Sequence, residues 1–129
     1  MNKYKIHDPD DISDFLTFKI IDQNYPVGYA YLLNNNNGLL ELTEIKIYDH
    51  TEANSIISRL FKILKGKKNY RGKGIGTYFL KHIIEFCRNT GAKRINGKAS
   101  GDIPRLKEWY KSLGFTIDAD NNIELSLND

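Results

Sequence analysis

The sequence predicts an α+β fold in which a mixed, mostly antiparallel sheet is flanked by helices. Two observations lead to this prediction. Three strand-like runs with short polar turns come before residue 50, and one further strand and a final hairpin follow residue 90. Apolar residues recur at helical spacing over residues 51–65, about 75–90 and 103–113. Consecutive strands followed by alternating helices and strands favour an antiparallel meander that leads into a parallel crossover unit.

Composition places the chain among ordinary globular proteins. It has 129 residues, of which 40% are hydrophobic and 27% charged, so we expect one domain over residues 1–129. The net charge of +3 slightly favours an anionic ligand. A single cysteine, Cys87, excludes an internal disulfide framework. Because the sequence shows neither an apolar leader nor an apolar run of membrane length, we expect the protein in the cytoplasm.

The first half of the chain predicts a meander. Residues 3–14 are polar and predict only a short arm or one weak turn. Strand composition follows in three runs with turns at 23–26 and 34–38, and the predicted strands are Leu16–Asp22, Val27–Leu33 and Leu39–Tyr48.

The second half predicts helices and a closing hairpin. Thr51 is the expected N-cap of an amphipathic helix over residues 51–65. A second helix runs from about Ile75 to Thr90, and Gly91 suits its C-terminal cap. The remaining predicted elements are a strand at 93–100, a helix at 103–113 with Pro104 in its first turn, and a hairpin of 115–118 with 123–127.

A glycine-rich stretch over residues 69–80 is the main functional signal. Glycines 72, 74 and 76 alternate with Lys73 and Ile75 directly before the second helix. Bare amide groups that open a helix bind anions, because the first helical N–H groups lack partners and the dipole is positive there. The spacing fits neither a Walker A loop nor the dinucleotide fingerprint, which would need a glycine where Thr77 stands.

Several motifs resemble one family. The spacing Arg71-x-x-Gly74-x-Gly76 resembles the acetyl-CoA signature of the GNAT superfamily of acetyl-CoA-dependent N-acetyltransferases. Residues 109–115 (WYKSLGF) are similar to its second signature, residues 41–47 (ELTEIKI) to its central strand, and residues 26–30 (PVGYA) to its hairpin strand. The likeness spans roughly residues 16–127 and implies a GNAT-like fold.

The chain departs from the family pattern at three places. The N-terminus is shortened, because about fifteen residues precede the hairpin where the family usually has a strand and two helices. An insertion over roughly residues 49–69 adds a helix before the glycine loop. An asparagine often found at the start of the last helix is absent, and Ile103 stands near that place. The first two departures bear on the acceptor site, and the third bears on the cofactor site.

The resemblance implies transfer of an acetyl group from acetyl-CoA to a primary amine by direct attack, with no metal. A backbone N–H of Ile45 or Ile47 is then the expected donor to the oxyanion. Tyr110 is the candidate general acid toward the departing thiolate. The residues expected at the cofactor are Ile45, Ile47, Arg71, Gly72, Lys73, Gly74, Ile75, Gly76 and Thr77.

Glu41 is the best candidate for the general base, acting through a water. Regular strand alternation predicts that Glu41 shares a face with Thr43, Ile45 and Ile47. Glu44 would then face the other way and is the fallback base. Of the other ionisable or nucleophilic side chains considered, His50 and His82 are expected at the surface and Cys87 in the core.

Other functions stay open at the level of sequence. A non-catalytic CoA-binding or regulatory module is the main alternative, and the short N-terminus favours it. A nucleic-acid-binding role for the basic stretch at residues 62–73 is disfavoured by the near-balanced charge. The acceptor could be a small amine or a protein or peptide amine. The inserted helix could cover the core or form a homodimer interface.

Overall fold

The computed structural model describes residues 3–11, 13–48 and 74–127. Its described elements form one seven-stranded sheet with two helices, and the sheet order is β1-β2-β3-β4-β5-β7-β6. In chain order the elements are β1 (Tyr4–His7), β2 (Phe15–Asp22), β3 (Tyr25–Asn34), β4 (Leu39–Ile47), α1 (Ile75–Asn89), β5 (Arg94–Lys98), α2 (Ile103–Ser112), β6 (Thr116–Ile117) and β7 (Asn122–Ser126).

The strand pairing confirms the predicted α+β class. Strands β1 to β4 pair antiparallel in succession, and so do β5 with β7 and β7 with β6. The exception is β4 with β5, which pair parallel from Leu39↔Arg94 to Leu42↔Gly97. A parallel pair needs a crossover connection, and α1 lies within that connection.

The prediction for residues 3–14 was wrong, because Tyr4–His7 is a strand at the edge of the sheet. It pairs with β2 from Tyr4↔Asp22 to His7↔Lys19, and the Tyr4 side chain is buried. A four-residue strand is too short for a periodic signal, and the prolines and aspartates that follow it dominate the local composition. The described residues between His7 and Phe15 form no helix.

Both described helices pack on one face of the sheet. On α1 the buried side chains are Ile75, Phe79, Leu80, Ile83, Ile84 and Cys87. Phe86 packs edge-on against Phe18 of β2, with ring centroids 5.1 Å apart. The second helix joins the same layer, because Trp109 of α2 donates a hydrogen bond from its indole N–H to Thr77 Oγ1 of α1. These apolar contacts form the core of the protein.

The helices end where the sequence predicts. Gly91 and Gly114 follow α1 and α2 with φ of 89° and 97°, the left-handed conformation that glycine adopts without strain. Pro104 lies in the first turn of α2. Within the described ranges, neither helix is long and apolar enough to cross a membrane. The predicted helix at 51–65, His50 and residues 71–73 lie outside the described residues.

A β-bulge in β4 overturns the predicted faces of this strand. Leu42 pairs with Leu32 of β3, but the next β3 residue back, Tyr31, pairs with Glu44, so Thr43 has no partner of its own in the pairing. One extra residue reverses the alternation of every side chain that follows it. Nothing in the sequence around Thr43 distinguishes a bulged strand from a regular one.

The bulge places Glu41 and Glu44 on the same face of the sheet. Cross-strand partners share a face, and Glu41 pairs with the exposed Leu33, whereas Ile45 pairs with the buried Ala30. The carboxylates therefore lie on the face opposite the helices. Ile45 and Ile47 lie on the helix side, where both pack against the core. The predictions that Glu41 shares a face with Ile45 and Ile47, and that Glu44 faces the other way, are wrong.

Candidate active site

The N-terminus of α1 presents main-chain N–H groups to the surface. Gly74 is the N-cap, with φ of 75°, and is exposed. The first internal hydrogen bond of the helix joins the Tyr78 N–H to the Gly74 carbonyl at 3.1 Å. The N–H groups of residues 75–77 precede that bond, and no acidic side chain occupies the first turn. Both features favour an anion at this end of the helix.

Packing inside the protein leaves space for a side chain at Gly76. A Cβ placed there would lie 3.5 Å from Cζ2 of Trp109 and 3.7 Å from Cγ1 of Ile47, which are ordinary contact distances. Gly76 is also in a helix, where alanine is favoured over glycine. The described residues therefore give no reason for glycine here, and a glycine at this position allows another group to approach the backbone closely.

Trp109 has a role that the sequence did not predict. It is half-buried and packs against the core, and its indole N–H donates to Thr77 Oγ1 at 2.8 Å. This bond fixes α2 against the first turn of α1, beside the candidate anion site. Sequence spacing placed Trp109 in a family motif but gave no signal for its partner.

The registered pairing of β4 with β5 ends at Leu42 and Gly97, and we term the side of β4 beyond this pair, where no described strand is paired with it, the gap. A Cβ at Gly97 would lie 2.7 Å from the Leu42 carbonyl oxygen, so only glycine allows the strands to approach here. Beyond this point β4 continues to Ile47 without β5 beside it. The Tyr48 N–H donates to Val27 O of β3 at 2.9 Å. Because amides alternate along a strand, that of Ile45 lies on the side toward the gap.

A cleft of about 540 Å³ lies beside the paired part of β4 and β5. It is lined by Glu41, by residues 96–98 of β5, and by residues 116–118 and 122–124 of the final hairpin. Glu41 accepts a hydrogen bond from Asn35 Nδ2 at 3.3 Å. Glu41 and the final hairpin thus meet around one cavity, although they are far apart in sequence.

Asn96 contributes an unsatisfied acceptor to this cleft. Its Oδ1 atom is buried and has no hydrogen-bond partner in the described part of the chain. Asn96 pairs with Glu41 on one side and with Glu124 on the other, so its side chain lies on their face. A buried carbonyl oxygen without a donor is costly and suits a ligand that brings an N–H group. Sequence reasoning missed Asn96, because no motif includes it.

The other cleft carboxylates already have partners. Glu124 forms an ion pair with Arg94 at 3.1 Å. The backbone N–H and side-chain amide of Asn122, with the Asp120 N–H and the nearby Lys98, hold the pKa of Asp118 below its usual value. These contacts order the final hairpin. The remaining cleft carboxylate, Glu41, has one amide partner, Asn35 Nδ2, at 3.3 Å.

Glu44 is held by a neighbouring phenol. Tyr29 donates its hydroxyl to Glu44 Oε2 at 2.7 Å. That hydrogen bond, with desolvation and the adjacent negative charge, raises the pKa of Tyr29 well above its ordinary value. This hydrogen bond occupies one oxygen of the Glu44 carboxylate, and Glu44 does not line the cleft. Glu41 is therefore the better placed of the two candidate bases.

Tyr110 lies on the helix side of the sheet. It is buried, with ring centroids 4.9 Å from Trp109 and 5.3 Å from Phe115. Burial raises the pKa of its phenol, so the hydroxyl keeps its proton at neutral pH. Tyr110 does not line the cleft of Glu41. The structure thus places the candidate acid and the candidate base on opposite faces of the sheet.

Two further sequence candidates have structural roles. His82 Nε2 lies 2.6 Å from Asp8 Oδ1 and joins α1 to the segment after β1. Cys87 is fully buried, which raises the pKa of its thiol to about 12 and makes the thiolate rare at neutral pH. The expectation that Cys87 belongs to the core is confirmed.

The architecture is that of solved acetyltransferases. A Bacillus subtilis acetyltransferase in complex with CoA superposes with a TM-score of 0.69 at 13% identity, covering 98% of this chain and 100% of that one. An IAA acetyltransferase from Bacillus cereus gives 0.68 at 14% identity, covering 95% and 99%. The ribosomal-protein-S18-alanine N-acetyltransferase of Escherichia coli gives 0.66 at 14% identity, covering 92% and 73%. At such identities these similarities establish the fold.

A sequence profile of the Acetyltransferase (GNAT) family matches residues 2–115. The chain therefore belongs to the GNAT acetyltransferase family, and the resemblance seen in its motifs is confirmed. Its class is that of an acyltransferase that uses an acyl-CoA. No curated protein sequence matches the chain.

Proposed function

We propose that this protein is an N-acetyltransferase that transfers the acetyl group of acetyl-CoA to a primary amine. One observation supports this most strongly: the N-terminus of α1 adjoins the part of β4 that lies beyond its registered pairing with β5. Ile47 of β4 is in contact range of position 76 of α1. An anion site that adjoins a gap in the sheet suits a substrate that carries a diphosphate at one end and a thioester at the other.

The α1 terminus is assigned to the diphosphate. The amides of residues 74–77 would donate to its oxygens, and Arg71, Gly72 and Lys73 precede them in the chain. Thr77 is already oriented by Trp109 at 2.8 Å, which fixes the first turn before the ligand arrives. A binding site that is ordered in advance loses less entropy on association.

The chemistry is assigned to residues of β4 and α2 on both faces of the sheet. The amine nitrogen attacks the thioester carbonyl carbon, and the carbon–sulfur bond breaks. The N–H of Ile45 or Ile47 would stabilise the charge on the carbonyl oxygen. Glu41, through a water, would take the proton from the amine, and Tyr110 would give its proton to the departing thiolate. Holding amine and thioester together can itself supply ~7–11 kcal/mol of the barrier.

The assay measures acetyl-CoA binding by calorimetry and thiol release with a panel of primary amines. We expect binding and amine-dependent thiol release. Tyr110→Phe should lower turnover by about 10²-fold, the size of a general-acid contribution, while acetyl-CoA affinity changes less than about twofold. Tyr4→Phe is the control, because Tyr4 is also buried but lies on the opposite edge of the sheet.

Three outcomes separate the alternatives. Equal turnover in Tyr110→Phe would remove Tyr110 from the acid role. Acetyl-CoA binding without thiol release from any amine would favour the non-catalytic CoA-binding module. A protein that binds no acetyl-CoA would contradict the proposed function as a whole.

A further inference from the structure

The sheet face opposite the helices has a continuous row of side chains that crosses six strands. No helix of the described residues covers this face. The registered cross-strand pairs, taken from β2 through β3, β4, β5 and β7 to β6, define what we term the open-face row: Phe15, Leu33, Glu41, Asn96, Glu124 and Thr116. Because registered partners share a face, all six side chains lie on the same side of the sheet.

One end of the open-face row is apolar and exposed. Phe15 and Leu33 keep 46% and 37% of their surface exposed, and they are the large hydrophobic residues in the described chain that do so. The Phe15 ring lies 5.3 Å from the ring of Tyr31, which lies 4.8 Å from the ring of Tyr29. Exposed apolar groups that adjoin one another and border polar residues commonly mark a binding surface.

The next part of the row offers acceptor oxygens to a cation, and the lysine that lines the same cleft, Lys98, lies near Asp118. Glu41 follows Leu33 and lines the cleft, and Asn96 follows Glu41 with its buried Oδ1 lacking a partner among the described residues. Glu44, on the same face, adds a second carboxylate beside Tyr31. An ammonium group supplies the positive charge and the N–H donors that these oxygens need. The row therefore joins an ammonium site to an apolar site.

We propose that the acceptor is a primary amine that carries an apolar aliphatic or aromatic group and lies across the strands along the open-face row. Its ammonium group donates to Asn96 Oδ1 and reaches Glu41 through a water, and its apolar group covers Leu33 and Phe15. Neighbouring strands are about 4.8 Å apart, so the apolar group extends roughly 5–10 Å from the nitrogen. This inference rests on the proposed function and specifies the substrate class of the same site.

A panel of matched amines tests the substrate class. The apolar probes are n-hexylamine and 2-phenylethylamine, and the polar probes are ethanolamine and 1,4-diaminobutane. We expect kcat/KM with acetyl-CoA to be at least about tenfold higher for the apolar probes, because each buries apolar protein surface that a polar amine leaves exposed to water. Equal or higher kcat/KM for the polar probes would overturn the proposal while leaving the acetyltransferase function intact.

Two substitutions test the place of binding. Phe15→Thr and Leu33→Thr replace exposed side chains with a residue that favours strands, so the fold should be retained. We expect KM for n-hexylamine to rise about five- to tenfold in each variant, with kcat and the kinetics of ethanolamine little changed. Ile21→Thr is the matched control, because Ile21 lies on the same strand and face as Phe15 but six residues, about 20 Å, away.

Other results would contradict the proposal. A KM for n-hexylamine that is the same in both variants as in the native chain would place the apolar group elsewhere. A native dimer in sedimentation that dissociates in Phe15→Thr would make this face a subunit interface. If no amine is turned over, calorimetry with n-hexylamine decides: binding weakened by Leu33→Thr supports the proposal, and no binding overturns it.

Discussion

Cys87 shows how burial alone changes the chemistry of one residue. Its side chain is fully enclosed on the sheet side of α1, and desolvation raises the pKa of its thiol from 9.0 to about 12. The charged thiolate is what burial disfavours, so the thiol is retained in the folded state well after an unfolded chain would lose its proton. Cys87 therefore contributes to core packing, and the raised pKa of its thiol makes the stability of the protein depend on pH in the alkaline range.

We predict that the difference in stability between the native chain and Cys87→Ala changes with pH above about pH 9. Between pH 9 and 12 the unfolded thiol loses its proton and the folded thiol keeps it, so this group lowers the free energy of unfolding by about 1.4 kcal/mol per pH unit. At pH 7 the variant should be about 1 kcal/mol less stable than the native chain because of the lost contacts.

Urea denaturation at pH 7, 9 and 10.5 measures the difference. The stability gap between native chain and variant should be constant up to about pH 9 and should close or reverse by pH 10.5. A gap that stays the same across this range would show that the folded thiol titrates normally.

At the same scale, Asn96 and Trp109 show why a site is harder to predict than a fold. Asn96 matters because of the atoms that surround Oδ1, and Trp109 because its indole meets Thr77 from another helix. Both facts depend on contacts between distant segments. The glycine run before α1 could be interpreted from sequence, because a helix N-terminus is a local structure.

Strand β4 is the element on which the candidate chemistry depends. Its composition correctly predicted a strand, but the bulge at Thr43 moved Glu44 onto the face of Glu41 and moved Ile45 off it. The period of two is informative only while the strand is regular. Similarly, β1 was missed because four residues give too few repeats of that period.

The bulge leads to a prediction that distinguishes the two glutamates. Both lie on the open face, but Glu44 is held by the Tyr29 hydroxyl at 2.7 Å, whereas Glu41 lines the cleft. Glu41→Gln should lower kcat by about 10²-fold, as expected for loss of a general base. Glu44→Gln should lower kcat less than about fivefold, and it serves as the matched control for removing one negative charge from this face.

Steady-state kinetics with one amine across pH 6–9 measures both variants. The Glu41→Gln loss should be in kcat, with acetyl-CoA affinity nearly unchanged. A larger loss in Glu44→Gln than in Glu41→Gln would reverse the assignment of the base.

At the scale of the whole molecule, the described elements form one seven-stranded sheet with two helices on one of its faces. The order of strands and helices, the parallel β4–β5 pair and the helix ends could be predicted, because hydrophobic periodicity, glycines and Pro104 act locally. The open face could not be described from sequence. Its row of aligned side chains exists only because five strand registers place distant residues side by side.

The most direct measurement of the central claim is a calorimetric titration of coenzyme A into the native chain and into Gly76→Ala, with urea denaturation of both. The account predicts that the native chain binds one coenzyme A. In Gly76→Ala the affinity should fall at least about tenfold, while stability stays equal or rises by up to about 1 kcal/mol, because alanine fits the helix but crowds the ligand. Asn89→Ala, at the other end of α1, should bind normally. Undiminished affinity in Gly76→Ala, or a native chain that binds no coenzyme A, would contradict the claim that the α1 terminus holds the diphosphate.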